Sequence, residues 1–286
     1  MASHASVREI SADAIAAAVA EMSAEANFEL PEDVLAALRT ARDAETSDVA
    51  RDVLDQLIEN ARIAHEQRIA LCQDCGIAVV FVELGRDAHL DGDLYEAIDR
   101  GVREGYRDAY LRKSMVLNPL RRDTNTGDNT PAIVHLKLVE GDRLKLTLAP
   151  KGGGSENMSA VWMMVPSEGE DGVVKRIVER IQQAGGKPCP PLVLGVGLGG
   201  NLEKAALMAK ESLLRPVGEP SPIPELAALE SRLLEAVNAT GVGPMGLGGR
   251  TTALAVHVER HPCHIASLPL ALNVQCHSAR HVSREL

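Results

Sequence analysis

The sequence predicts an α/β protein, with mixed sheets flanked by helices, a helical N-terminal segment and two lobes around one site. Three observations lead there. Before position 70, apolar residues repeat at intervals of three and four. Beyond it, short aliphatic runs alternate with helical stretches, separated by breaks rich in Gly and Pro. The 286 residues are 45% hydrophobic but only 2% aromatic, so Leu, Val, Ile, Ala and Met must build a core large enough for one domain or two lobes.

Residues 6–70 read as three helices. Ser6 and Glu9 have the spacing of a capping box, and Ile15, Val19 and Met22 mark an apolar face. Pro31 suits a first helical turn ahead of Val34, Leu35 and Leu38. Val49, Val53, Leu54, Leu57 and Ile58 continue the period, in keeping with a scaffold or a subunit contact. Residues 77–84 form a buried strand, 94–112 a helix, and 123–131 a turn segment. Residues 133–139 and 144–148 read as the arms of a hairpin around Glu140-Gly141-Asp142. An amphipathic helix over 173–183 stops at Gly185-Gly186. A strand over 192–196 then leads into Gly197-Leu198-Gly199-Gly200, and Asn201 is a natural N-cap for a helix reaching residue 214. The Pro-rich segment 216–224 reads as a link and a lobe boundary. A helix over 225–237, a glycine-rich loop over 241–249 and a strand over 251–258 follow.

The formal net charge of -10 argues against a nucleic-acid-binding face, and no Lys/Arg block suggests one. No secretory signal or membrane-length apolar stretch is evident. Five scattered cysteines, an odd number, point to a reducing cytoplasm where they stay free thiols, catalytic groups or metal ligands.

Cys72-Gln73-Asp74-Cys75-Gly76 places two thiols, an amide and a carboxylate ahead of a buried strand. A thioredoxin-like pair needs a following helix, and a structural zinc site needs a second nearby pair; two buried thiols remain the bland alternative. Cys189 is wedged between Pro188 and Pro190-Pro191, a rigid setting that suits a ligand. Cys276 precedes His277, Arg280 and His281, a cationic setting that favours thiolate. Three distant thiolates could hold one iron–sulfur cluster and leave an open iron. Lys151-Gly152-Gly153-Gly154-Ser155 and the Gly197–Asn201 stretch present backbone amides that could meet an anion, or they are plain tight turns. His257, His261 and His264 fit no standard zinc spacing.

Taken in order, these motifs resemble the iron–sulfur-dependent class I fumarate hydratases and their tartrate dehydratase relatives. The resemblance runs from Leu71 to His281 and includes Asn125-Thr126-Gly127-Asp128-Asn129-Thr130-Pro131-Ala132, Cys189-Pro190-Pro191, residues 195–200 and Cys276-His277-Ser278-Ala279-Arg280. It implies a 4Fe-4S cluster held by Cys72, Cys189 and Cys276, with the lobes around it. Gln73, Arg112, Gly152, Gly153 and Gly154 are then substrate-binding. Asp74 and His264 are the catalytic candidates, and which of the two moves the proton stays open. Cys75 stands where the family carries Thr, so it is expected not to be a ligand. The chain is similar to the alpha subunit of the two-chain form, a single catalytic domain over 1–286. A beta subunit would then complete the active site in a hetero-oligomer. The implied reaction is reversible hydration of fumarate, a small dicarboxylate, to malate, with tartrate or mesaconate chemistry as alternatives. A non-catalytic anion- or nucleotide-binding module and a zinc hydrolase are the readings from other classes.

Overall fold

The computed structural model describes residues 8–286. The first elements are β1 (Arg8–Ile10), α1 (Ala12–Phe28), α2 (Glu32–Ala44), α3 (Asp48–Gln67), β2 (Ile77–Gly85), β3 (Ala88–Leu90) and α4 (Leu94–Asp108). Next come β4 (Val116–Asn118), β5 (Arg121–Asn125), β6 (Ile133–Val139), β7 (Leu144–Lys151), the single turn α5 (Gly153–Glu156) and β8 (Ala160–Met164). The remainder comprises α6 (Gly169–Ala184), β9 (Leu192–Gly199), α7 (Leu202–Glu211), α8 (Pro224–Asn238), β10 (Ala253–His261), β11 (Leu268–Gln275) and β12 (Val282–Glu285). This is the expected α/β class with mixed sheets. Among the described residues no helix is long and apolar enough to cross a membrane.

The chain divides into two compact units. The first takes the described residues up to Leu30, then Ile63–Gly152 and Arg280–Leu286; the second takes Pro31–Arg62 and Gly153–Ala279. The Pro-rich segment 216–224 lies inside the second unit.

In the first unit a four-stranded sheet runs β12-β7-β2-β6. β2 is the apolar run predicted from sequence, and it pairs with β6 in parallel and with β7 antiparallel. Ala78, Val80 and Val82 alternate onto the face that packs with Leu144, Leu146 and Leu148, with Ile15, Val19 and Met22 of α1, and with Ile98 and Val102 of α4. The capping box does not start α1. Ser6 lies outside the described residues, Glu9 belongs to β1, and Ser11 accepts from Ala14 N as the N-cap. The expected hairpin of 133–148 does not form either, because β2 inserts between its two arms. The buried apolar strand takes the interior position, and the turn after β6 bonds instead to the end of β2 and the residues just after it, with Gly85 N donating to Arg143 O and Asp87 N to Gly141 O. The helix expected to reach residue 112 ends at Asp108, because Tyr110 takes a left-handed φ of 54°.

The second unit holds a sheet ordered β10-β9-β11-β8. Leu192, Leu194 and Val196 of β9 join Ile177 and Ile181 of α6 and Leu229 and Leu233 of α8 on one face. On the other face α7 lies so close that a Cβ on Gly195 would sit 1.9 Å from Ala209 O, and one on Gly197 2.1 Å from Ala205 O. These glycines therefore belong to a strand covered on both faces, not to an anion cradle. Asn201 caps α7 as predicted, accepting from Lys204 N. The 216–224 segment is clamped: Arg215 pairs with Glu230 at 2.7 Å, and the other Glu230 oxygen accepts from Ser221 N.

Candidate active site

Within the first unit the Cys72–Gly76 loop turns directly into β2. Gly76 has φ 74°, and a Cβ there would lie 2.7 Å from Lys151 N, so β7 runs too close for any other residue. Leu71 N is anchored on Asn27 O. The carbonyls of Asp74, Cys75 and Gly76 are each held by a buried side chain. Arg280 Nη2 donates to Asp74 O at 3.0 Å, Tyr106 Oη to Cys75 O at 2.7 Å, and Asn129 Nδ2 to Gly76 O at 3.1 Å. Burial raises the Tyr106 phenol and keeps it a neutral donor.

With its backbone pinned, the loop presents a half-buried Cys72 and an exposed Gln73. Cys72 Sγ accepts from Asp74 N at 3.4 Å. Asp74 Oδ1 accepts from Gly76 N, while Oδ2 lies 3.3 Å from where a Gly152 Cβ would stand, so Gly152 leaves room for the carboxylate. Cys75 is different: 1% exposed, it donates to Cys72 O and accepts from Arg112 N at 3.2 Å. Burial pushes this thiol up, which favours the protonated form. The Arg112 side chain itself is exposed and has no ion pair among the described residues.

The 125–132 motif is the support for this loop. Asn125 Nδ2 donates to Lys113 O, and Asn129 Oδ1 accepts from Ser114 N, which fixes the segment following Arg112. Burial alone would raise the Asp128 carboxyl. Hydrogen bonds from Thr130 N, the Thr130 hydroxyl and Arg103 override it and hold the group down at about 2.

In the second unit Cys189 occupies a left-handed φ of 55°, an uncommon conformation for a residue with a Cβ. Its carbonyl accepts from both His277 N and His277 Nδ1, so that ring carries its proton on Nδ1 and ties the Cys276 segment to Cys189. Cys276 Sγ accepts from Gln275 Nε2 at 3.5 Å. Gly153 and Gly154 open α5. His264 lies on the exposed loop after β10, where its Nδ1 accepts from Ala266 N, leaving Nε2 as the protonated nitrogen of the neutral ring. His257 is buried, with Nδ1 on Ser212 O and its pKa lowered by burial.

The structure thus brings Cys72, Gln73, Asp74, Gly152 and the Arg112 backbone together in one unit, and the Cys189 and Cys276 segments together in the other. Among the described residues His264 makes hydrogen bonds only with Ala266 and Ser267. Sequence reasoning missed the holders Asn27, Tyr106 and Arg280 as site residues. Among the described residues no three His, Cys, Asp or Glu side chains are grouped to share one metal ion.

The sequence model of the family described as fumarate hydratase (Fumerase) matches residues 16–285. A Methanocaldococcus jannaschii protein named putative L(+)-tartrate dehydratase subunit alpha is 42% identical over 275 residues, 94% of this chain and 96% of its own length. The L(+)-tartrate dehydratase subunit alpha of Escherichia coli K12 is 31% identical over 264 residues, 92% of this chain and 87% of its own. Since the match spans nearly all of the chain and every motif of the site, this chain belongs to the fumarate hydratase (Fumerase) family and is an enzyme of the hydro-lyase type.

Proposed function

We propose that this chain is the cluster-bearing alpha subunit of an iron–sulfur hydro-lyase that adds water reversibly to fumarate, giving malate. The carrying observation is the contrast among the cysteines. Cys72, Cys189 and Cys276 are partly exposed, each held by backbone geometry or an N–H···S contact, whereas Cys75 is buried as a thiol engaged with the backbone. Three accessible soft donors with N–H groups on two of the sulfurs fit a 4Fe-4S cluster. When bound, a cluster with one open iron supplies Lewis-acid polarisation of the substrate hydroxyl and carboxylate.

The chain's own residues do the rest. Arg112 grips one carboxylate with a planar fork, and the Gln73 amide and the backbone of Gly152, Gly153 and Gly154 receive polar groups of the substrate. Asp74 or His264 moves the proton at the hydroxyl oxygen. The relatives are named alpha subunits, which supports a partner beta subunit; in this reading it completes the site and carries the base for the carbon-bound proton.

The test is anaerobic purification of the chain with and without its partner, followed by iron, sulfide and malate assays. Iron and sulfide in the wild type and none in Cys72→Ser are expected; a wild type free of both would refute the cluster. A second reading, dehydration of tartrate, is favoured by the relatives' names. Parallel assays with malate and L(+)-tartrate decide it, and turnover of tartrate alone would replace the fumarate assignment.

A further inference from the structure

Arg280 is 5% exposed, and its guanidinium forms no ion pair among the described residues. Nη2 donates to Asn27 Oδ1 at 3.2 Å and to Asp74 O at 3.0 Å, both neutral acceptors. Its Nε–H is buried with no acceptor among the described residues. Arginine does not shed its proton in proteins, so a full positive charge is held inside the first unit with no carboxylate in ion-pair contact among the described residues. Such a charge is costly unless an anion balances it.

Holding a carbonyl does not explain the choice of residue. The two following carbonyls, Cys75 O and Gly76 O, are held by the neutral donors Tyr106 and Asn129. What distinguishes Arg280 is its charge, and a short path leads from it to a thiol: Arg280 holds Asp74 O, and Asp74 N donates to Cys72 Sγ.

We propose that Arg280 is a positioning residue that serves as the fixed buried counter-charge of the Cys72 thiolate and of the anionic iron–sulfur group it would hold. This rests on the proposed function. One-electron reduction adds negative charge to that group, so a nearby fixed cation favours the reduced state.

The experiment measures iron, sulfide and reduction potential in the full chain with its partner, loaded anaerobically with iron and sulfide. Arg280→Gln is expected to shift the potential to a more negative value, and Arg280→Lys to keep it near wild type. Asn27→Asp, which sets a carboxylate against the guanidinium, is expected to shift it in the same direction as Arg280→Gln. Tyr106→Phe, which removes a neutral donor from the neighbouring carbonyl, should leave the potential in place. A loaded Arg280→Gln with the wild-type potential would overturn the proposal, as would an Arg280→Lys variant that behaves like Arg280→Gln. If Arg280→Gln does not fold, an unmoved potential in Asn27→Asp overturns it. A wild type that takes up neither iron nor sulfide refutes the cluster reading itself.

Discussion

Cys75 lies three positions from Cys72, yet its sulfur serves the backbone, bridging Cys72 O and Arg112 N. A threonine hydroxyl can donate and accept in the same way. Cys75→Thr is therefore expected to keep the iron content of wild type and to change stability by no more than about 1 kcal/mol, as read from iron per chain and urea unfolding. Gly76 tolerates no such exchange. Gly76→Ala meets both a left-handed φ and the β7 backbone, and the backbone strain alone is on the order of 1–3 kcal/mol. The expected result is a lowered urea midpoint together with loss of iron binding.

At the scale of elements, the turn after β5 and the link before α8 make separate predictions. The Asp128 carboxyl is held at about 2 in the folded chain, below the ordinary value of about 3.9. A lowered folded-state pKa means that its stabilisation is present above about 4 and is lost as pH falls through about 2. Asp128→Asn should thus be less stable than wild type at neutral pH, with the gap narrowing from about pH 4 downward, as followed by urea unfolding at a series of pH values. Arg215 and Glu230 are both largely buried. Arg215→Met strands the carboxylate and is expected to cost about 3–5 kcal/mol, measured as a fall in unfolding free energy. The helices were legible because their apolar periods and caps, Asn201 above all, are local. The pairing of β6 and β7 was not, since sequence proximity suggested a hairpin while burial of β2 required the interior position. Gly197 read as a loop for a related reason: a glycine demanded by a neighbouring helix looks like one demanded by a turn.

For the molecule as a whole, the proposed division of labour predicts that the full chain alone takes up iron and sulfide and shows turnover at least about 100-fold below that of the chain with its partner, the scale of a missing general base. Comparing malate formation by the two preparations tests this. The candidate site was legible as far as its motifs are contiguous. Cys72, Gln73 and Asp74 sit side by side, and Cys189 and Cys276 each stand in a distinctive local setting. The residues that hold the loop were not, because Asn27, Tyr106 and Arg280 reach it by hydrogen bonds across long stretches of chain, and such bonds leave no periodicity.

That separation has a temporal side. The first unit receives β12 and Arg280 from residues 280–286, after Gly153–Ala279 have been made. A ribosome extends the chain from the N-terminus, so the second unit's residues emerge before the Cys72 loop can acquire its guanidinium. The loop consequently reaches its final form only after residue 280 has been made, and thiols exposed on the nascent chain meet the surrounding redox chemistry before that clasp is in place.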